Sequence, residues 1–318
     1  MGIPEQQRLI DVLDQDEVLK VLSDDRFVPV DYGDRHAALG DRLGLDFSAI
    51  TFAIEHIPLC LHGERHAESR KRMAQVIADG RARMVARIPE HVERRLAPLR
   101  VPGRHDAIDA IVNPLVNDLI SDLIGVKLDV GPDSNVSGIF SQAAGVSKRK
   151  RMQAELQTLR ERLEEAFGDQ GVAAVGDRVG LAILGRDATL GTLSFSMAAH
   201  IERAEGRPLS TVVAEPTPTH TGVPYVDRRP VPGLEEVAAE PQRRVHLSAF
   251  EEAENARDRH KFFGAGIHVC LGRPLTLDLW KHVAAYMADC DRQVRVLELR
   301  TRKDDVFRCP DIFQIEVV

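Results

Sequence analysis

The chain has 318 residues, with 42 Lys and Arg against 49 Asp and Glu, a formal net charge of −7 and the two signs interspersed. That balance creates no general attraction to nucleic acid or anionic lipid, so neither nucleic acid nor a membrane is expected as a partner. Hydrophobic residues at 43% can fill a sizeable core, and the 5% aromatic content with abundant Ala, Val, Leu, Arg and Glu favours helix. Cys60, Cys270, Cys290 and Cys309 are widely spaced, with no C-x-x-C pair and no signal-like N-terminus. They suit a reducing, cytoplasmic setting. No stretch approaches the ~18 apolar residues of a membrane span.

In chain order, residues 8–22 (R-L-I-D-V-L-D-Q-D-E-V-L-K-V-L) predict a short strand followed by a helix with Val18, Leu19 and Leu22 on its apolar side. Residues 30–57 are mixed and read as loop. The run H-G-E-R-H-A-E-S-R-K-R-M over 62–73 places His66 and Arg70 four residues apart, on one face of a helix. Apolar residues recur every three to four positions across 106–128, where Gly125 marks a stop and Pro114 a kink, so a core helix is expected. After a Gly/Pro/Asp/Ser break at 131–138, a charged helix spans 148–167, its basic start at 148–151 expected as a solvated cap. Residues 179–200 form a long helix, apolar on most sides, that contains Leu184-Gly185-Arg186-Asp187-Ala188-Thr189. Pro216 and Pro218 then exclude helix, each costing about 3 kcal/mol in a helix interior. Residues 291–318 alternate apolar and polar and predict a hairpin. Cys290 and Cys309 read as structural thiols.

The most informative stretch is F-G-A-G-I-H-V-C-L-G, residues 263–272. One cysteine stands among glycines, followed by a helix start in which Pro274 suits the first turn. A thiolate can serve as the axial ligand of haem iron, where it pushes electron density onto the metal. Glycines at 264, 266 and 272 let backbone approach a flat macrocycle and direct N–H groups at the sulfur. The alternative is a buried structural cysteine in a Gly-rich loop. Phe263, Gly266, Cys270 and Gly272 at these spacings would arise by chance in roughly one chain per thousand of this composition.

This arrangement, with His268, resembles the haem-binding signature of the cytochrome P-450 family. The resemblance implies a mainly α fold with small β-sheets in a single domain over 1–318, N-terminally trimmed, with Cys270 as proximal ligand of haem b (iron protoporphyrin IX). It implies that His66, Arg70, His268 and either Arg228 or Arg229 meet the propionates, and that Phe263, Gly264 and Gly272 frame the ring. Residues 179–200 are similar to the helix that crosses the distal haem face. There Gly185 keeps the groove and Asp187 the acid, while Ala188 stands where relatives carry an alcohol. Thr189 is one step further, about 100° round the helix. Val223 and Val226 are expected to line the pocket. The helix that follows in relatives, helix J, is missing, and so is their E-x-x-R brace: Glu215 falls at the glutamate and Pro218 at the arginine. An arginine that completes that network in relatives, on a segment before the cysteine loop, is expected to be missing too.

The implied activity is oxidation or rearrangement of a small organic molecule by a haem-dependent oxidoreductase, in specialised-metabolite or antibiotic biosynthesis. Asp187, Arg186 and Thr189 are the candidate catalytic residues, and a ferredoxin-type electron donor or peroxide is the expected co-reactant. Ala188 shifts weight toward peroxide use or non-oxygenase haem chemistry. A competing expectation is a non-catalytic auxiliary protein that activates a partner such as a glycosyltransferase, which the complete cysteine loop argues against.

Overall fold

A computed structural model describes residues 9–318 except 31, 132, 133, 135, 142, 143, 238 and 303–305. Strand β1 (Leu9–Val12) leads into helix α1 (Gln15–Ser23), whose start is fixed by the Asp14 carboxylate accepting the Glu17 N–H at 3.0 Å. After β2 (Phe27–Pro29) the segment expected as loop is instead helical, as α2 (Gly33–Leu43) and α3 (Ser48–His56). Helix α3 is apolar on nearly every side, so periodicity does not mark it, whereas α2 is amphipathic but holds few apolar residues. Packing holds α3 against its neighbours: a Cβ on Gly176 would lie 2.2 Å from the His56 ring, so only glycine lets that histidine close on the helix above.

Helix α4 (Gly63–Leu96) is a single 34-residue rod, followed by β3 (Gly103–Asp106). Residues Ile108–Val112 wind as a π-helix that becomes α-helical at α5 (Asn113–Ile124), with Pro114 in its first turn. The missing proline N–H therefore falls where a change of winding absorbs it. Gly125 ends α5 at φ 83°, donating its N–H to Ser121 O at 2.9 Å. Helix α6 (Val146–Phe167) matches the expected charged helix, except that Arg149 in its basic start is buried rather than solvated. Helix α7 (Val172–Arg203) follows directly. Only a 3₁₀ turn at Leu209–Thr211 separates it from β4 (Tyr225–Pro230), and β5 (Gln242–His246), α8 (Ala256–Arg259), α9 (Arg273–Ala288), β6 (Val294–Thr301) and β7 (Pro310–Val317) complete the chain.

Two small sheets flank the helices. One has the order β1-β5-β4-β2, parallel between β1 and β5 and antiparallel elsewhere; the other is antiparallel, β3-β7-β6, with the expected hairpin as its β7-β6 half. Helices α3, α4, α5 and α7 enclose the main core, in which Ile88, Ile111, Leu115, Ile183 and Leu193 are fully buried. Each such side chain contributes about 1.5–3 kcal/mol. A second cluster, including Val18, Phe250 and Phe262, sits under α1. Among the described residues no helix is long and apolar enough to cross a membrane.

Glu215 departs from expectation. Its carboxylate takes hydrogen bonds from Arg203 at the end of α7 and from Arg259 on α8, the latter at 3.0 Å, while its carbonyl accepts the Trp280 indole N–H of α9 at 2.8 Å. Three helices thus meet on a residue that sequence reading left without an arginine, and Arg259 lies in the very stretch read as lacking one. Burial raises the Glu215 pKa, but the two arginines outweigh it and hold the carboxyl below the usual glutamate value.

Candidate active site

The cysteine loop is closed by its own backbone. The Cys270 N–H donates to Phe263 O at 2.8 Å, and Gly264 and Gly266 take φ of 86° and 61°, which side chains rarely adopt. A Cβ on Gly266 would also sit 3.0 Å from Leu22 O, where the loop rests on α1. Helix α9 begins immediately after, with Pro274 in its first turn, and the Gly272 and Arg273 N–H groups point at the Cys270 sulfur. Burial pushes the thiol pKa up, opposed by those two N–H groups and by the charges of Arg70 and Arg273. The Cys270 side chain is nevertheless exposed. Both statements hold because its open side is the wall of an interior cavity. Cys290 and Cys309 are buried, with their thiols on Leu99 O and Asp187 O at 3.4 and 3.5 Å.

Phe263, Gly264, His268 and Gly272 border that cavity beside Cys270. Helix α7 forms the facing wall through Leu181, Leu184, Gly185, Ala188, Thr189 and Thr192, a stripe at helical spacing. Val223, Val226 and Arg228 of the β4 region enter from the side, as expected for the two valines. Close approach of this segment to α7 depends on glycine: a Cβ on Gly222 would stand 2.1 Å from Ala188 O. The Gly222 N–H donates to Thr192 Oγ1 at 2.8 Å, and that hydroxyl donates to Ala188 O at 2.8 Å. Thr192 is thereby committed to the fold. Thr189 Oγ1, half-buried on the cavity wall, makes no hydrogen bond to the described residues.

Three nitrogen-bearing side chains, Arg70, Arg228 and His268, line the cavity, and His66 packs against His268. His66 and Arg70 rise from the first turns of α4; the His66 and His268 rings lie 4.3 Å apart, and His66 Nε2 is buried without a hydrogen-bond partner. Arg70 donates to Val269 O. Arg228 is 2% exposed, and among the described residues its guanidinium donates only to the Asp227 carbonyl, at 3.2 Å. The Asp227 carboxylate itself is taken by Arg244, at 2.9 and 3.1 Å. Burial lowers the Arg228 pKa to about 10. Burial, then the charges of Arg228, His66 and Arg70, lower that of His268 to about 3. Of the two arginines left open by sequence, Arg228 lines the cavity and Arg229 does not.

Arg186 and Asp187 do not line the cavity. Each is 1% exposed, and they form an ion pair with one another on the far side of α7. The Arg186 guanidinium also donates to Asn113 Oδ1 at 2.7 Å, Gly131 O at 2.9 Å and Asn117 Oδ1 at 3.3 Å, while Asp187 accepts the Ser137 N–H at 3.2 Å. A contact of either side chain with substrate, expected from sequence, is replaced by a pair that ties α5, Gly131 and Ser137 to α7. Residues 186 and 187 sit on the opposite side from 184, 185, 188 and 189, a difference that one-dimensional reading of a helix apolar all round cannot see.

No protein-family model matches the chain, and no curated protein matches it in sequence. Its fold is that of the cytochromes P-450, and the chain is a divergent protein of that fold. It is similar to cytochrome P-450 BioI, solved in complex with hexadec-9Z-enoic acid ligated acyl carrier protein, at TM-score 0.73 and 14% identity, covering 97% of this chain and 92% of that one. CalO2 aligns at TM-score 0.70 and 17% identity, covering 97% and 90%. A thermophilic cytochrome P-450 from Sulfolobus tokodaii aligns at TM-score 0.63 and 16% identity, covering 99% and 96%.

Proposed function

We propose that this chain is a haem-thiolate enzyme that oxidises or rearranges a small, largely apolar organic molecule, of the kind made in specialised metabolism. One observation carries the reading: Cys270, Arg70, Arg228 and His268 open onto the same cavity, with His66 packed against His268, and among the described residues no carboxylate lines it. Among the described residues no group of three or more His, Cys, Asp or Glu could hold a bare metal ion. Iron protoporphyrin IX instead asks for one strong protein ligand and two carboxylate acceptors. The residues present fit it, because among the described residues the buried His66 Nε2 has no partner and the Arg228 guanidinium has no anion. Cys270 would ligate the iron; His66, Arg70, Arg228 and His268 would take the carboxylates; Phe263, Gly264 and Gly272 would frame the ring. When bound, the group supplies an iron made electron-rich by thiolate, able to carry out redox or Lewis-acid chemistry.

The chain's own residues then do the rest. The Gly272 and Arg273 N–H groups offset part of the cost of burying a thiolate at Cys270. Leu181, Leu184, Ala188 and Val223 exclude water and suit an apolar substrate, in keeping with the fatty acyl group named for cytochrome P-450 BioI. Thr189 is the α7 hydroxyl able to hold a proton toward the cavity, since Thr192 is already committed. With Asp187 paired and turned away, α7 sends no carboxyl to the same space. This favours peroxide as co-substrate over dioxygen with a ferredoxin-type donor.

Haem-supplied protein should therefore turn over with hydrogen peroxide and fail with dioxygen, ferredoxin and reductase. Thr189→Ala should slow turnover on the order of 10²-fold, the low end for loss of a positioned proton donor, with the circular dichroism spectrum unchanged. Equal rates in Thr189→Ala would remove that residue from the account. Recovery of a haem-free chain in a tight complex with a transferase would replace the enzyme with the auxiliary protein.

A further inference from the structure

We propose that a second pocket, between α2 and α6, is an anion-binding site that takes a phosphoryl or carboxylate group carried on an apolar body. Arg35, Ala38, Leu39 and Arg42 follow one another at helical spacing, and all four line this pocket from a single face of α2. Asp34 and Asp41 each precede an arginine by one residue, which turns them about 100° away from that face. Opposite stands Arg149, 7% exposed, in the first turns of the 22-residue helix α6, where the helix dipole adds further positive potential.

The partners of Arg149 orient it without neutralising it. Its Nε donates to Ala144 O at 2.9 Å, its Nη2 to Ser141 O at 3.3 Å and its Nη1 to His36 Nδ1 at 2.8 Å. His36 Nε2 lies 2.8 Å from Ile139 O, so that nitrogen carries the hydrogen and Nδ1 is the acceptor, which makes the imidazole neutral. Burial, together with the charges of Arg149 and Arg35, supports this by lowering the His36 pKa to about 4. Three bonds leave part of the five-donor guanidinium for the pocket. Among the described residues no carboxylate lines it. A cation held in a buried place without a counter-ion is costly, and a chain with 49 acidic residues had ample means to neutralise it.

Ala38, Leu39 and Ile139 give the pocket an apolar flank beside the guanidinium groups. The pocket neighbours the Cys270 cavity but is walled off from it. The Tyr32 ring meets Phe140 edge-on at 5.5 Å, Phe140 stacks on Phe307 at 5.7 Å, and Phe307 lines the other cavity. The site therefore stands apart from the haem reading, and its test needs no haem.

The test is calorimetric titration of the purified full-length chain with sodium pyrophosphate and, separately, with octyl phosphate. One saturable site is expected, weakening as salt is raised. Arg35→Gln/Arg42→Gln, which changes two exposed side chains, should lower the association constant about tenfold or more, as loss of charge-assisted hydrogen bonds does. Arg300→Gln, on the surface of β6, should leave it unchanged. Circular dichroism and Tm verify that the double variant folds. Pyrophosphate binding would identify a site for a free anion, and octyl phosphate binding alone a site for the anionic end of an amphipathic molecule. Failure of both to bind, or undiminished binding in the double variant, would overturn the proposal.

Discussion

Arg186 and Asp187 on α7 and Arg228 on β4 are all buried to within about 2% of full enclosure, yet among the described residues only the first two have a counter-charge. The difference separates charge that holds the fold together from charge that is poised for something outside the chain. A buried ion pair adds little net stability over apolar residues of similar size, but breaking one side of it is expensive. A buried arginine with only a carbonyl to bond lowers stability by itself and is explained when a ligand brings the anion. The same contrast recurs between Glu215, clamped by two arginines, and Arg149, oriented but not neutralised.

The largest expected effect breaks the paired set. Arg186→Met leaves the Asp187 carboxylate without its guanidinium and should cost about 3–5 kcal/mol in urea unfolding. Arg186→Met/Asp187→Leu should recover most of that. A loss below about 1 kcal/mol in the single variant would mean that the pair is not what fastens α5 to α7. Next comes the unpaired set. Without haem, Arg228→Leu should leave unfolding stability unchanged or raise it by about 1 kcal/mol, because it removes a desolvated charge. Haem affinity of the same variant should fall about 10- to 100-fold. Strong destabilisation of the haem-free variant would place Arg228 with the structural charges instead.

The smallest effect sharpens the contrast at Glu215, whose side chain is 27% exposed. Glu215→Gln should cost about 1–2 kcal/mol at neutral pH. The folded-state pKa of Glu215 is lowered, so its contribution is complete above the ordinary glutamate value of 4.5 and is lost as pH falls through the lower folded value. The stability gap between wild type and Glu215→Gln should accordingly close below about pH 4.5. A gap that stays constant down to acid pH would show that the carboxylate charge is not what the arginines hold.

The cysteine loop was legible because its ten residues are consecutive and Gly264 and Gly266 answer to local backbone needs. His66 and Arg70 were legible because four residues of helix bring them to one face. Gly125 and the C-terminal hairpin followed from equally local rules. Arg203 and Arg259 were not, since they reach Glu215 from 12 residues before it and 44 residues after it, and no pattern in the sequence joins them. Helices α2 and α3 escaped notice because one has few apolar residues and the other is apolar nearly all round, so tertiary contact decides both. The identities of residues 186 to 189 were plain, but which of them face the cavity depends on helix rotation within a mostly buried element. Arg149 hid in a basic run whose usual fate is solvent.

The central claim is the bond between the Cys270 sulfur and iron. Its most direct measurement is the absorption spectrum of ferrous, haem-supplied protein under carbon monoxide. The account predicts the red-shifted Soret band of a thiolate-bound iron, present in the wild type and abolished in Cys270→Ser. A protein that takes up no haem, or a band that survives Cys270→Ser, would contradict it.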